Sequence, residues 1–400
     1  MTVMIWTAGG IMAWDSLIEL LRALGRFFIN PLLYIALFVT IFLGYRRVKR
    51  ERKYFNIRIL SGWSELKDSL LKGLLMAIIL SIISIGAGLV VPVQFLFILV
   101  VVTLMALIGY SYHLLSPIVL FSVSFIVLVV VKEAGWTFTV LGIEFSGLAL
   151  HDATAITICL LAGLALVAEG LLIRKQGEKY ASPITEQTKR GLKAVSYLSK
   201  QLWVLPVFFV VPGEAIQAYF PYWPQFSLGA EHYSVVLFPL VIGFQQMTRK
   251  TLPHYFYAKL GKSVMIVGQL VIIGGLISYF EPLVGTITLI VGAAMRLLLS
   301  LQYKWQQRMD TYAVVPTSTG AMIAAVLPNS PAEKMGLVTG EVIKKVNGRH
   351  VYTERELYEA LQINAAHCRI EVLDHQNELR LTQHVVHSDD HHRIGLLLAR

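Results

Sequence analysis

Long runs of apolar residues, separated by short polar segments, fill most of the chain between residues 27 and 301. A hydrocarbon layer of about 30 Å needs about 20 residues of α-helix, so runs of this length are typical of transmembrane helices. We predict nine such helices, at 27–45, 73–91, 93–110, 116–131, 153–173, 202–217, 233–248, 263–280 and 283–301. The sixth and seventh runs are short and contain Pro206 and Pro239; as one re-entrant unit they would leave seven or eight helices.

Basic residues are concentrated in every second loop of this region. They follow the first, fifth and seventh runs and close the ninth: Arg46, Arg47, Lys49, Arg50, Arg52 and Lys53; Arg174, Lys175, Lys179, Lys189, Arg190, Lys193 and Lys200; Arg249, Lys250, Lys259 and Lys262; Arg296, Lys304 and Arg308. The loop 132–152 has only Lys132, and the loop 214–232 has no Lys or Arg. Because cytoplasmic loops carry the excess of Lys and Arg, the pattern predicts an outside N-terminus and a cytoplasmic chain after Tyr303. The basic loops are also suited to anionic lipid.

Two further segments have helical patterns. The first lies between Asp15 and Phe28, at the end of the N-terminal segment 1–26. Its apolar residues recur at helical spacing around Arg22 and Arg26. This pattern predicts either an amphipathic helix in the membrane interface or an extension of the first span. The basic loop 174–201 contains a helix-like stretch, and it is either a lipid-facing positive loop or a second docking surface for a protein.

Composition agrees with a membrane domain. The 400 residues are 56% hydrophobic and 15% charged, with a net charge of +10, whereas soluble domains carry about 25% charged residues. Mean hydropathy is +0.63. A soluble protein of this length could not remove so much apolar surface from water. The two cysteines, Cys159 in an apolar run and Cys368 in the polar part, are not expected to form a disulfide.

After Asp310 the apolar runs shorten and turn residues appear at regular intervals. We predict strands at 321–327, 341–346, 349–352, 368–373, 378–385 and 394–398, with a single helical turn at 332–335. Asn347-Gly348 is a tight-turn pair. Thr353 and Glu356 form a capping box that starts a helix ending near Ile363. The pattern predicts a small α+β domain behind the membrane helices.

The residues of this domain resemble a PDZ domain of the bacterial type. The resemblance rests on Leu327 to Leu337, which contains Ser330-Pro331-Ala332, on Gly340-Glu341-Val342-Ile343, and on Val346-Asn347-Gly348. It implies a partly open β-barrel with two helices over residues 317–400, joined by a linker at 304–316 to a transmembrane domain at 27–303. Glu341 replaces the more common Asp of the pattern.

In PDZ domains a peptide adds as a strand between a sheet edge and the main helix, and its carboxylate sits on backbone N–H groups of the preceding loop. The resemblance places that site here on Ser318, Thr319, Gly320, Ala321, Met322, Ile323, Leu357 and Leu361. The loop departs from the common glycine-hydrophobic-glycine form, so an internal loop of a partner is an alternative to a C-terminus. Leu357 and Leu361 are equally compatible with the domain core.

Sequence motifs of catalysis are missing. The chain has no His-Glu pair, hence no HExxH zinc-protease motif, and no GxSxG nucleophile elbow. Ser146, Gly147, His151 and Asp152 do not form a matching serine-protease motif, and Asp389, Asp390, His391 and His392 are more typical of a solvated turn.

Glu169 and Arg296 are placed near the span ends, where their side chains would reach the interface. Glycines such as Gly86, Gly163 and Gly275 indicate close helix packing. We expect no enzyme activity, catalytic residue, metal, cofactor or nucleic-acid partner.

The layout as a whole resembles the MinJ family of division-site topological determinants in Gram-positive rods. The sharp motifs are the basic stretch Gly44 to Lys53, then Phe55-Asn56-Ile57-Arg58 and Gly62-Trp63, followed by many spans and the terminal PDZ domain. The resemblance implies an adaptor that bridges a DivIVA-like polar scaffold to a MinD-like ATPase at septa and poles, controls division-site selection and helps disassemble the division machinery. Self-association is also open. The alternative is an accessory subunit of a membrane protease or transporter.

Overall fold

The computed structural model describes residues 21–145, 152–189, 191–217, 232–308, 311–363, 367–385 and 394–399. Seven helices form a bundle: α1 (Pro31–Phe55), α2 (Ser64–Gly86), α3 (Val93–Ile108), α4 (Pro117–Glu133), α5 (Asp152–Gln176), α6 (Pro253–Ile277) and α7 (Pro282–Gln306). Four of them begin with Pro, which needs no N–H partner at the first helical position. These helices confirm seven of the nine predicted ones, and five are long and apolar enough to cross a membrane. The strands β1 (Thr139–Val140) and β2 (Ile143–Glu144) form a small hairpin after α4.

The sixth and seventh predicted helices are wrong, because both segments are β-strands. A three-stranded antiparallel sheet consists of β3 (Ser182–Gln187), β4 (Lys193–Gln217) and β5 (His232–Thr248). The helix-like stretch predicted at 185–198 lies in β3 and β4 and is also wrong. Residues 202–211 are mostly β-branched and aromatic, types enriched in strands, and a Pro inside a helix costs about 3 kcal/mol. Apolar content alone does not distinguish a buried strand from a buried helix.

The two prolines explain how the hairpin tolerates them. Pro206 lies directly opposite Pro239 in the register of β4 and β5. The N–H groups of Val204 and Phe208, two residues either side of Pro206, point away from β5. Position 206 therefore also faces outward, where a missing N–H removes no hydrogen bond from the pair.

Helix α2 supplies partners for the outer edge of β4. The hydroxyl of Ser69 accepts the Val204 N–H at 3.2 Å, and that of Ser81 accepts the Phe208 N–H at 2.9 Å. Farther along, Val91 donates its N–H to the Val210 carbonyl at 2.8 Å. Non-helical backbone in an apolar setting is tolerated only when the protein satisfies its polar groups. These contacts let a sheet edge lie inside a helical bundle.

The opposite edge, on β5, has a backbone partner from a loop. Gly243 of β5 donates its N–H to the Leu115 carbonyl at 2.9 Å, between α3 and α4. On β4, the Trp203 indole donates to the Gln176 side chain at 3.1 Å, and the Gln201 side chain donates to the Gln176 carbonyl at 3.0 Å, which ties the strand to the end of α5. Each outer edge of the hairpin thus has a hydrogen-bond partner in a neighbouring element.

The connections between successive helices and strands lie alternately at the two ends of the bundle. Gln176, which ends α5, lies beside the start of β4, whereas Val90, which follows α2, bridges Val210 far along the same strand. Strands β4 and β5 therefore run the length of the bundle. Seven helices and two strands pass between the ends in the described part of the chain, so the predicted alternation of loops is retained. The side of the membrane on which each end lies stays a prediction.

The junction of α1 and α2 is held by Arg47. Its guanidinium contacts the Glu65 carboxylate, donates to Glu51 at 2.6 Å and donates to the Ser61 carbonyl at 2.9 Å. All three charged side chains are buried. A Cβ at Gly44 would collide with the Gly62 carbonyl. Arg47 therefore fixes a turn, whereas its neighbours in the basic stretch remain available to the surface.

The helix that precedes α1 is described from residue 21 to residue 29. It ends at Asn30, whose side chain accepts the Leu32 N–H at 3.0 Å and caps α1. A break at Asn30 therefore separates this helix from α1. The earlier part of the amphipathic segment lies outside the described residues.

Glycines allow α5 and α6 to approach closely. A Cβ at Gly163 would lie 3.1 Å from the Gly268 carbonyl, and a Cβ at Gly170 would lie 2.7 Å from the Gly261 carbonyl. Small residues at such crossings permit backbone contact in membranes. The prediction for Gly163 is confirmed, while Gly86 has open space around it.

Glu169 and Arg296 do not reach the interface as predicted. They are 0% and 3% exposed and pair with each other at 2.5 Å across α5 and α7. Ser116 donates to the second Glu169 oxygen at 2.5 Å, and Arg296 also contacts Ser300. Because a buried charge is costly alone, pairing replaces the expected solvent contact.

Replacing the edge serines tests the enclosed hairpin. Ser69→Ala and Ser81→Ala each leave a buried N–H without an acceptor, which costs about 1–3 kcal/mol. We expect each to lower the thermal unfolding midpoint of the full-length protein in detergent. Ser84→Ala is the matched control, because Ser84 is buried on the same helix and its hydroxyl has no partner among the described residues. Equal midpoints for all three variants would contradict the role of the serines.

A double-mutant cycle tests the buried ion pair. Glu169→Gln leaves Arg296 buried without a counter-charge, and breaking such a pair costs about 3–5 kcal/mol. We expect the double variant E169Q/R296Q to be more stable than E169Q alone, since it removes both charges. The unfolding midpoints of the four proteins measure the coupling. Additive losses would show that the two side chains act independently.

Candidate peptide-binding site in the C-terminal domain

The C-terminal domain has the elements that the sequence predicts. The strands are β6 (Ala321–Val326), β7 (Val342–Val346), β8 (Arg349–His350), β9 (His367–Leu373), β10 (Leu379–Val385) and β11 (Leu396–Leu398); the helices are α8 (Pro331–Lys334) and α9 (Glu354–Gln362). Thr353 accepts the Glu356 N–H at 3.2 Å, which confirms Thr353 as the N-cap, and Glu356 accepts the N–H of Tyr352, one residue before the cap, at 2.8 Å. Asn347 and Gly348 both have positive φ, as a tight hairpin turn requires.

Glu341 has a structural role in the domain. Its carboxylate accepts the Val338 N–H at 2.9 Å and pairs with Arg380 at 2.7 Å, while the side chain is buried. A carboxylate at this position therefore closes the turn after Gly340 and ties it to β10.

Strand order decides where a peptide can add. The sheet runs β10-β9-β7-β6-β11, with β8 paired to β7. The predicted edge, β6, lies inside the sheet: Met322 is opposite Val342 of β7, and its carbonyl accepts the Ala399 N–H at 2.9 Å. On β6 neither side is free, because β7 and β11 occupy its two edges.

The other predicted site residues have local roles. Ala321 and Ile323 are buried in the core. Thr317 donates its hydroxyl to the Gly320 carbonyl at 3.0 Å, which closes a turn that exposes Ser318 and Thr319. A Cβ at Gly320 would collide with the Ile343 carbonyl, so Gly320 allows approach of β7 rather than of a ligand.

Leu357 and Leu361 of α9 are core residues. Both are buried and belong to one cluster with Ile394, Leu396 and Leu398. Helix α9 and β11 thus share the same core, and β11 is an outer strand of the sheet.

The backbone of β11 offers that edge. The Gly395 carbonyl accepts the Leu327 N–H at 2.8 Å and Ala399 donates its N–H to Met322, so residues 395 and 399 point toward β6. Alternation along a strand directs the N–H and carbonyl of Leu396 and Leu398 to the opposite side. A peptide strand can pair with these four groups.

Gly395 shapes the entry to this edge. Its φ is +84°, and a Cβ there would collide with Ser330. The sequence signal was present as Ile394-Gly395-Leu396, a glycine between apolar residues before a final strand. The resemblance points to an edge strand at the start of the domain, whereas in this sheet residues 394–399 carry the outer strand next to β6.

The second face of β11 packs on the membrane domain. Leu397 and Ala399 join a cluster with Phe55 at the end of α1 and Tyr197 of β4. The Tyr197 hydroxyl donates to the Ala324 carbonyl at 2.6 Å, and Val195 donates its N–H to the Val314 carbonyl at 2.9 Å. Strand β11 is therefore part of the contact between the two domains.

The described residues give little support to a nucleophilic or a metal-dependent reaction. Both cysteines are free, and burial raises the pKa of the Cys368 thiol to about 12, so the thiol is a poor nucleophile near neutral pH. No group of three His, Cys, Asp or Glu residues suited to a metal occurs among them. The Ser146 set and the Asp389 to His392 patch lie outside the described side chains.

Comparison with known proteins covers both domains. A model of the PDZ domain family matches residues 322–373, from β6 to β9, and stops before β10 and β11. The cell division topological determinant MinJ of Bacillus subtilis (strain 168) is 30% identical over 389 residues, 96% of this chain and 96% of that protein. The probable determinants of Lacticaseibacillus paracasei and Lacticaseibacillus casei (strain BD-II) are each 25% identical over 374 residues, 92% of this chain and 96% of theirs. With similarity that runs through the helical bundle, the hairpin and the PDZ domain alike, the chain belongs to the MinJ family of cell division topological determinants.

Proposed function

We propose that this membrane protein is an adaptor that bridges a DivIVA-like polar scaffold to a MinD-like ATPase and catalyses no reaction. Through this bridge it would restrict division to the correct site and help disassemble the division machinery at septa and poles. The observation that carries the proposal is the free edge of β11, a peptide-binding surface attached to a membrane domain.

The membrane makes a weak peptide site effective. Strand addition at β11 offers only the backbone groups of Leu396 and Leu398, which is a small binding surface. Confining both partners to one membrane raises their effective concentration and multiplies the apparent affinity without new contacts. A modest site is therefore sufficient for an adaptor of this kind.

Bridging needs a second surface, and β10 provides a candidate. It is the other edge of the sheet, and its outer face exposes Leu379, Leu381 and Val385. Exposed apolar side chains in a row are typical of protein contacts. The two edges lie at opposite sides of the domain, so two partners can bind together. The basic loops support a cytoplasmic placement of both edges.

Imaging in rod-shaped cells that lack the native protein tests the adaptor function. We expect a fluorescent full-length fusion to mark septa and poles and to concentrate the MinD-like ATPase there. A fusion truncated after Arg308 keeps α1 to α7 but lacks both sheet edges, so it should disperse the ATPase and produce minicells and filaments. Membrane fluorescence of equal intensity in both strains controls for expression. Uniform fluorescence of the full-length fusion with normal division would contradict the proposal.

A pair of substitutions at Leu398 tests strand addition itself. Both Leu398→Pro and Leu398→Ala shorten the buried side chain, but only Pro removes the outward N–H, a change that edge strands tolerate. Losing one hydrogen bond of about 0.5–1.5 kcal/mol weakens binding by up to about tenfold, and the ring adds steric conflict. We expect L398P, and not L398A, to reduce co-purification of the DivIVA-like scaffold or the MinD-like ATPase. Equal recovery of both partners with the two variants would show that neither binds at this edge.

A further inference from the structure

A basic cavity of about 670 Å³ opens at the end of the helical bundle that carries the PDZ domain. Its basic lining residues are His113 between α3 and α4, Arg249 after β5, and Lys304 and Arg308 at the end of α7. The volume lies within the range of small-ligand pockets, about 300–1,000 Å³. None of these residues belongs to either sheet edge of the PDZ domain.

The lining of the cavity carries more basic groups than the described carboxylates neutralise. Its lining contains no Asp or Glu among the described residues. Arg249 is neutralised by Glu186, at 2.7 and 3.0 Å. For Lys304 and Arg308, the described chain has no carboxylate within ion-pair distance. Burial, followed by the charges of Lys304, Lys200 and Arg296, lowers the pKa of His113, in agreement with a positive field in the cavity.

The spacing of residues along α7 and the buried side-chain amide of Gln307 bring the basic residues of the cavity together. Ser300 and Lys304 lie four residues apart on one face of α7, and Arg308 follows in the turn after the helix. Gln307 is buried, and its side-chain oxygen accepts the N–H groups of Arg249 and Lys250 at 2.9 and 2.8 Å. The end of β5 is thereby held against the end of α7, so the cationic groups converge on one space.

The same cavity has an apolar exit. Leu297 and Leu301 line it, and Leu298 and Leu301 are 63% and 58% exposed on the outer face of α7. A ligand with an anionic head and an apolar tail can place its head among Lys304, Arg308 and His113 and its tail along this face. A soluble anion would contact only the polar part of the cavity, whereas a lipid can contact both parts at once.

We infer that this cavity binds the phosphate-bearing headgroup of an anionic membrane lipid, with the acyl chains along α7. Basic pockets between transmembrane helices bind such headgroups. This site is a defined pocket, distinct from general attraction of basic loops to the membrane, and it does not depend on the proposed adaptor function.

Lipid titration of the purified full-length protein in neutral detergent tests the inference. Phosphatidylglycerol should raise the unfolding midpoint in a saturable manner, since a ligand that binds only the folded state stabilises it. Lys304→Gln with Arg308→Gln removes two charges and should weaken the apparent affinity about 30-fold, at about tenfold per 1.4 kcal/mol and roughly 1 kcal/mol per basic residue. Lys304→Arg with Arg308→Lys keeps both charges and should bind like the natural protein.

The matched control is Lys259→Gln with Lys262→Gln, two exposed basic residues on α6 outside the cavity. We expect it to leave the affinity unchanged. Equal weakening in the control and in K304Q/R308Q would overturn the inference, because surface charge alone would then explain binding. Stabilisation by inorganic phosphate as strong as that by phosphatidylglycerol would also overturn it and assign the cavity to a soluble anion.

Discussion

The structure depends on satisfying the backbone hydrogen bonds of a β-hairpin inside a helical bundle. A strand pair in apolar surroundings leaves two rows of polar groups, and each unsatisfied group is costly. Here Ser69 and Ser81 serve one edge, the Leu115 carbonyl serves the other, and Pro206 and Pro239 remove donors where no partner is needed. The bundle is arranged around that requirement, since α2 must present its serine face to β4.

The hairpin also connects the two domains. Strand β4 begins beyond the bundle, where Tyr197 bonds to Ala324 of the PDZ domain and Val195 bonds to Val314 of the linker, and it continues between the helices to Val210. One continuous strand therefore joins the PDZ domain to the membrane core. The buried Arg47 and Glu169–Arg296 contacts brace the helices around it.

Much of this architecture was readable from the sequence, and the exceptions have physical causes. The Thr353 N-cap and the Asn347-Gly348 turn are local signals, and the helix and the hairpin that they predicted are present. The hairpin was missed because a fully buried strand and a buried helix are equally apolar. The pairing of Glu169 with Arg296, 127 residues apart, and the placement of β11 beside β6 are long-range contacts that single-sequence spacing does not encode.

Strand β11 is packed on both of its faces. Leu397 and Ala399 face the membrane domain, and Leu396 and Leu398 face the PDZ core. The module consequently lacks the rotational freedom of a domain on a flexible tether. A partner strand that joins β11 must adopt one orientation relative to the bilayer. Binding would then set the orientation of the partner as well as its position, because every bound partner would have the same alignment with the membrane plane.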